Sequence, residues 1–363
     1  MIAVYVSGHG FGHSTRTAEV LRALRERAPD LPITVSTSAP SFLFEGVVAP
    51  PLEVRRVECD VGLVQKDALV IDEPGTAARW REFAAGWDNL VATEAEWLRS
   101  SGARLVLGDI PPLAFAAAAA AGVPSVALGN FSWDWIYEHV GGREPVLREA
   151  ASLCRDAYGR AQLLLRLPFA GDLGAFPRIE DVPLVARRPR LSKEEARDRL
   201  GFDGEPTVLL SFGGPGLPGI DLEAYGALGG YRFVLTGASG DGPPPPNLHR
   251  LAGDDLDAAG LEYTDLVGAA DVVVTKPGYG IVTDCIGAGT RMVYTDRGDF
   301  PEYPILTREM IRYFPAVYAT NEQIRNARIG PALESVRAQP VPETPQIDGA
   351  EVVAEHLVAH LRS

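Results

Sequence analysis

A repeated alternation of short apolar runs with stretches of helical periodicity constrains this chain more than any other feature. Runs with strand character stand at 2–6, 33–37, 54–57, 104–107, 125–128 and 163–166, and helical stretches at 14–27, 75–99, 112–121 and 145–159. Strands alternating with helices pair in parallel, with the crossover helices covering both faces of the sheet. After residue 192 the alternation restarts, with strands expected at 207–211, 231–235, 271–275 and 291–294 and a helix at 279–288. At 363 residues the chain exceeds one ordinary core. The expected fold is therefore α/β, with two doubly wound, Rossmann-like domains. The irregular segment 180–191, EDVPLVARRPRL, reads as the connection between them. Ser192 followed by Glu195 forms a capping box for a short helix to about residue 200. The Ala-rich helix 112–121 stops at Gly122 with Pro124 just beyond. Val352, Val353, Leu357 and Leu361 give the last segment an amphipathic helical spacing.

Composition narrows the function. The net charge of −14 argues against a nonspecific grip on nucleic acid. No apolar run approaches the roughly 20 residues that span a bilayer, and the chain opens directly on a strand pattern rather than a signal peptide. Three widely spaced cysteines, Cys59, Cys154 and Cys285, suggest neither a disulfide framework nor a metal knuckle and fit a reducing cytoplasm. The six histidines do not pair with acids at ligand spacing, so no metal site is expected.

Three constellations carry chemistry. The first is SGHGFGHSTR at 7–16, a glycine-rich turn between the first strand and its helix. Gly8, Gly10 and Gly12 permit close backbone approach, and the following helix offers free N–H groups. A dinucleotide fingerprint would need an acid at the end of the second strand, where VSTSAPSF stands instead. His9 and His13 then need another explanation. The second constellation is Asp109, just past the fourth strand and on the same rim of a parallel sheet as the first loop. Asp109 either caps the next helix or bonds His13, fixing its tautomer and leaving the other nitrogen a better base. The third lies in the second domain. The FGG turn, with Gly213 and Gly214, and the run 263–290 hold Lys276 at a strand end, Gly278, Tyr279 and Gly280 at a helix start, and Asp284 one turn in. Lysine with a helix N-terminus suits a diphosphate, and the carboxylate suits ribose hydroxyls. Asp299 and Glu302, in DRGDFPEYP, either accept sugar hydroxyls or belong to an acidic surface loop. The aromatic run Phe131, Trp133, Trp135 and Tyr137 reads equally as an acceptor wall or as core.

This pattern resembles the nucleotide-sugar glycosyltransferases of the GT-B type, two facing doubly wound domains with a cleft between them. The second-domain run is similar to that of the peptidoglycan N-acetylglucosaminyltransferases. GHGFGHSTR, VQKDAL (64–69), NFSWDWIY (130–137), LLLRLP (163–168), DVPLVARRP (181–189), FGG and KPGYGIVTD (276–284) resemble, in the same order, the glycosyltransferase-like N-terminal domain of plant L-arabinokinases. The kinase half of those proteins has no counterpart among these residues, so sugar phosphorylation is not expected. Pro277 also departs from an apolar β-branched residue expected there.

The resemblance implies His13 as the base that deprotonates an acceptor, Asp109 as its partner, Asp284 as the ribose acid and Glu302 as a sugar contact. It places nucleotide recognition near Tyr263; Gly10, Phe11, Gly12, Arg16, Asn130 and Trp133 are expected along the acceptor or cleft loop, and His9, which has no counterpart in the family, either lines that loop or only packs. It implies an acceptor domain at 1–180, a linker at 181–191, a donor domain at 192–345 and a C-terminal helix, 346–363, crossing back to the first domain. The implied reaction is metal-independent, inverting transfer from a nucleotide-diphosphate sugar, UDP-sugar favoured, to a small-molecule, glycan or natural-product hydroxyl, with no cofactor beyond the donor. The competing readings are an epimerase or hydrolase on the same scaffold, or a sugar-nucleotide-binding module without turnover.

Overall fold

The computed structural model describes residues 1–66, 70–202, 204–213, 216–237, 242–343 and 345–362. Its strands are β1 (Ile2–Val6), β2 (Ile33–Thr37), β3 (Leu52–Arg56), β4 (Leu105–Asp109), β5 (Ser125–Gly129), β6 (Leu163–Arg166), β7 (Ile179–Asp181), β8 (Thr207–Ser211), β9 (Arg232–Thr236), β10 (Leu248–Leu251), β11 (Val272–Thr275), β12 (Arg291–Tyr294) and β13 (Ala316–Tyr318). They form two parallel sheets, ordered β3-β2-β1-β4-β5-β6-β7 and β10-β9-β8-β11-β12-β13. In each sheet the strand order reverses once, between β1 and β4 and between β8 and β11. Those two points are where the crossover helices diverge to opposite faces and leave a crevice at the carboxyl ends of the strands.

The α/β reading is borne out, with local corrections. The first helix spans Phe11–Arg27 rather than starting at 14. Gly10, at φ 74°, turns the chain into it, a conformation that costs a glycine nothing. Gly12 and His13 therefore lie in a helical turn, with a fixed direction, rather than in a loop. The single helix expected at 75–99 is two, Glu73–Ala85 and Trp87–Ser100, broken at Gly86. The capping box is present: Ser192 accepts from the backbone of Glu195, whose side chain returns to the Ser192 N–H.

Two helices bring the halves together. The C-terminal helix Gly349–Arg362 packs along Phe11–Arg27, where Arg27 pairs with Glu355 at 2.9 Å. Its first turn sits directly on the connecting segment. The Gly349 N–H donates to the Leu184 carbonyl at 3.0 Å, and Val185 bridges Asp348. Helix Tyr279–Ala288 packs on Phe11–Arg27 from the other side. One continuous apolar cluster runs from Val20, Leu21 and Leu24 through Val353 and Leu357 to Val282 and Ile286. Burial at roughly 25 cal/mol per Å² of apolar surface makes this shared core the main attraction between the halves.

A methyl group at Gly349 would lie 2.2 Å from the Pro183 carbonyl oxygen and 2.7 Å from the Leu184 carbonyl carbon, both backbone. Gly349→Ala should therefore lower stability by about 1–3 kcal/mol in denaturant unfolding. Gly142→Ala, in open space, serves as the control and should change it little.

Candidate functional site

Register places the site. Val6 pairs with Asp109, and the Ser7 N–H donates to the Asp109 carbonyl at 2.8 Å. The loop after β1 and the end of β4 thus meet at the switch point of the first sheet. Asp109 does not cap the next helix, Pro112–Ala121, whose N-cap is Pro111 without a side-chain bond. It turns instead toward the first helix. His13 Nδ1 lies 2.8 Å from Asp109 Oδ1, Arg16 Nε donates to Oδ2 at 2.7 Å and Arg16 Nη2 to Oδ1 at 2.5 Å, and Thr17 Oγ1 donates to Oδ2 at 2.7 Å. His13 and Arg16 are three residues apart on a helix, so both reach one carboxylate.

Protonation follows from this geometry. Arg16 Nη2 also lies 3.1 Å from His13 Nδ1, but a guanidinium only donates and a carboxylate only accepts. The Nδ1 proton therefore belongs to the bond with Asp109, and the lone pair is on Nε2. Asp109 is completely buried. Burial alone would raise its pKa, but Arg16 and His13 hold the carboxyl well below the usual range. Burial likewise disfavours the Arg16 charge, and Asp109 more than restores it.

The network continues across the cleft. Arg16 Nη1 donates to Asn130 Oδ1 at 2.8 Å, Asn130 Nδ2 donates to Glu302 Oε1 at 2.6 Å, and Arg297 Nη1 donates to Glu302 Oε2 at 2.8 Å. Arg16 also lies over the Tyr279 ring, 5.2 Å from its centroid. A methyl on Gly280 would come within 3.6 Å of Gly12 Cα, so the two helix N-termini nearly touch. Phe300 enters the aromatic cluster of the first half, edge-on to Phe131 at 6.2 Å.

No known protein-family profile matches the chain. It is 36% identical over 363 residues to an L-arabinokinase of Arabidopsis thaliana, covering 98% of the chain and 34% of that protein, so it spans about a third of this relative's length. An uncharacterized glycosyltransferase of Methanopyrus kandleri is 24% identical over 270 residues, 71% of the chain and 76% of that protein. Among solved structures, CalG4, the calicheamicin glycosyltransferase, superposes at TM-score 0.61 with 18% identity, covering 99% of this chain and 98% of that one. UGT89C1 of Arabidopsis thaliana complexed with UDP-L-rhamnose does so at TM-score 0.65 with 13% identity, covering 99% and 98%.

The chain has the GT-B glycosyltransferase fold.

The remaining expected residues take several different positions. Lys276 follows β11 and is half-buried, and Gly278 is the N-cap of helix Tyr279–Ala288. Gly213, at φ 81°, makes the turn after β8, while Gly214 lies outside the described residues. Tyr263 Oη shares a hydrogen bond with Ser211 Oγ at 2.7 Å. Asp284 is buried and held at both oxygens by Arg187 of the connecting segment, at 3.1 and 2.6 Å. Burial raises its pKa despite that partner. Asp299 lies outside the cleft chain, in an exposed cluster with His139 (2.8 Å) and Arg143 (2.8 Å). Trp133 is fully buried and belongs to the core, as do Phe131 and Tyr137. Phe11 is 52% exposed and packs edge-on to Phe42 at 6.3 Å.

Three residues of the site escape a sequence reading. Asp60 accepts from Trp133 Nε1 at 2.8 Å, and burial raises its pKa against bonds from Ser7 and Gly8 and the nearby His13. Its position four residues past β3, on the same sheet edge, was the available signal. Arg187 and Arg297 pair with acids far along the chain or around a turn, and no local pattern announces them. Among the described residues no three His, Cys, Asp or Glu side chains come together as a metal site, and no helix is long and apolar enough to cross a membrane.

Removing Arg16 strands a buried carboxylate. Arg16→Met should cost about 3–5 kcal/mol of unfolding free energy at neutral pH. Because the folded-state pKa of Asp109 lies below its unfolded value, the pair's contribution is present above the unfolded pKa and is lost only as pH falls through the folded one. Urea titrations at pH 7 and in acid measure both.

Proposed function

We propose that this chain is a glycosyltransferase that moves a sugar from a nucleotide-diphosphate donor to an acceptor hydroxyl, with inversion, His13 acting as base. The observation that carries the reading is the buried His13–Asp109–Arg16 cluster at the switch point of a GT-B cleft. Asp109 orients the imidazole and directs the Nε2 lone pair outward. As the acceptor oxygen bonds to the anomeric carbon, Nε2 takes its proton and the bond to the diphosphate breaks. The leaving diphosphate keeps the electron pair. Lys276, Arg297 and the N–H groups opening helix Tyr279–Ala288 would oppose that charge.

A UDP-sugar donor is supported by the fold neighbour crystallised with UDP-L-rhamnose. In this reading residues 1–180 form the acceptor half, 181–191 the linker, 192–345 the donor half and 346–363 the returning helix. Donor binding would exchange Arg187 for ribose at Asp284, and Asn130 for sugar hydroxyls at Glu302. Asp299, Gly213, Gly214 and Tyr263 would complete the donor side, and Phe11 would face the acceptor, a small molecule or glycan. Metal independence follows if Lys276 and Arg297 supply the positive charge. Three buried free cysteines accord with a cytoplasmic location. The L-arabinokinase relative is about three times as long, and this chain matches a third of it.

UDP at 100 times its Kd should stabilise the protein by about 2.7 kcal/mol, read as a rise in Tm. His13→Gln should keep that rise while slowing UDP release from the UDP-sugar it prefers by about 10²–10⁴-fold. Wild-type turnover in His13→Gln contradicts the base assignment, and the absence of stabilisation by any nucleoside diphosphate contradicts the donor class.

A further inference from the structure

His9 is the histidine of the opening segment that the mechanism leaves unused, and its seat is closely built. The Leu63 N–H donates to His9 Nδ1 at 3.3 Å, so the lone pair is on Nδ1 and the ring proton on Nε2. Gly62, at φ 65°, passes so close that a methyl there would lie 2.7 Å from the ring. Trp133 meets the ring edge-on, with centroids 5.3 Å apart. The His9 N–H donates to Ser7 Oγ at 3.3 Å, and Ser7 also bonds Asp60. Nε2 has no hydrogen-bond partner among the described residues, and the side chain remains half-buried rather than sealed.

The charges that act on this ring are positive. Burial first, then His13, Arg297 and Lys276, push the His9 pKa down to about 3. Arg297 belongs to the same corner of the second half as Lys276. Its Nη1 donates to the Pro277 carbonyl at 3.4 Å and lies 3.6 Å from where a methyl on Gly278 would stand. His9 is thus a neutral ring with one fixed N–H, three residues before Gly12, whose Cα lies within 3.6 Å of where a methyl on Gly280 would stand, in the helix opening that follows Lys276. Two second-half cations, Lys276 and Arg297, opposite a fixed N–H of the first half fit an anion between them.

We propose that His9 is an uncharged hydrogen-bond donor, through Nε2–H, to the diphosphate of the donor, which Lys276 and Arg297 hold from the other side. This rests on the transferase reading and deepens it. Neutrality has a chemical use. His13 becomes a cation when it takes the acceptor's proton, and a charged His9 beside it would oppose that step. A neutral N–H stabilises the departing diphosphate without doing so. It also makes the diphosphate a clasp between the jaws.

Calorimetric titration of the intact protein with UDP, inorganic pyrophosphate and uridine tests this. The glutamine amide nitrogen of His9→Gln reaches the Nε2 position, whereas that of His9→Asn reaches only Nδ1. His9→Asn should bind UDP and pyrophosphate about 10-fold or more weakly, with uridine unchanged, and His9→Gln should recover most of the loss. Should His9→Asn fail to fold, His9→Glu replaces it, having the shape of His9→Gln but only acceptors, with the same expected loss. A folded His9→Asn or His9→Glu that binds both diphosphates as wild type does overturns the role of His9 and leaves the transferase reading standing. Wild-type protein that binds neither UDP nor pyrophosphate overturns both.

Discussion

The pairing of Asp109 with Arg16 is the interaction on which the cleft depends. A carboxylate at the end of a central strand, with no solvent access, cannot remain ionised without a partner. Arg16 supplies it through two nitrogens, and Thr17 and His13 fill the remaining lone pairs. The pair is less a source of stability than a constraint on geometry. It sets the rotation of helix Phe11–Arg27 about its axis, because Arg16 reaches Asp109 only when that face turns inward. His13, one turn earlier, is brought to the same carboxylate. The imidazole consequently faces an ion pair rather than a bare negative charge.

From Arg16 the same chain of hydrogen bonds leads through Asn130 to Glu302 and Arg297. Each link uses a buried or nearly buried polar atom, so each must be satisfied, and the second half is held at a defined distance from His13. The Asp284–Arg187 pair does a similar job where the connecting segment meets helix Tyr279–Ala288. Glu302 and Asp284 are thus engaged by protein partners. A substrate that takes their place would exchange one set of hydrogen bonds for another, which links donor binding to the arrangement of the jaws.

Where strong local physics operated, the sequence was legible. Helix 112–121, helix 279–288 and strands 207–211 and 291–294 fall at their expected bounds, because glycine stops and uniformly apolar runs mark them. Strands β7, β10 and β13 were not read. Each is three or four residues long, each lies at a sheet edge, and mixed burial leaves no clear period. Gly86 was too weak a signal to divide 75–99. In the site, His13 and Asp109 could be read because the carboxyl ends of parallel strands share one rim. Trp133, with a buried ring and its N–H given to Asp60, is core, a choice the sequence left open. The engagement of Asp284 by Arg187 depends on residues 97 apart, a tertiary contact that no spacing rule contains.

The proposed transfer is a direct displacement at the anomeric carbon, with inversion. The sugar first released when water serves as acceptor tests it most directly, followed by proton NMR before mutarotation mixes the anomers. The account predicts that an α-linked UDP-sugar yields the β anomer first. First release of the α anomer would contradict it.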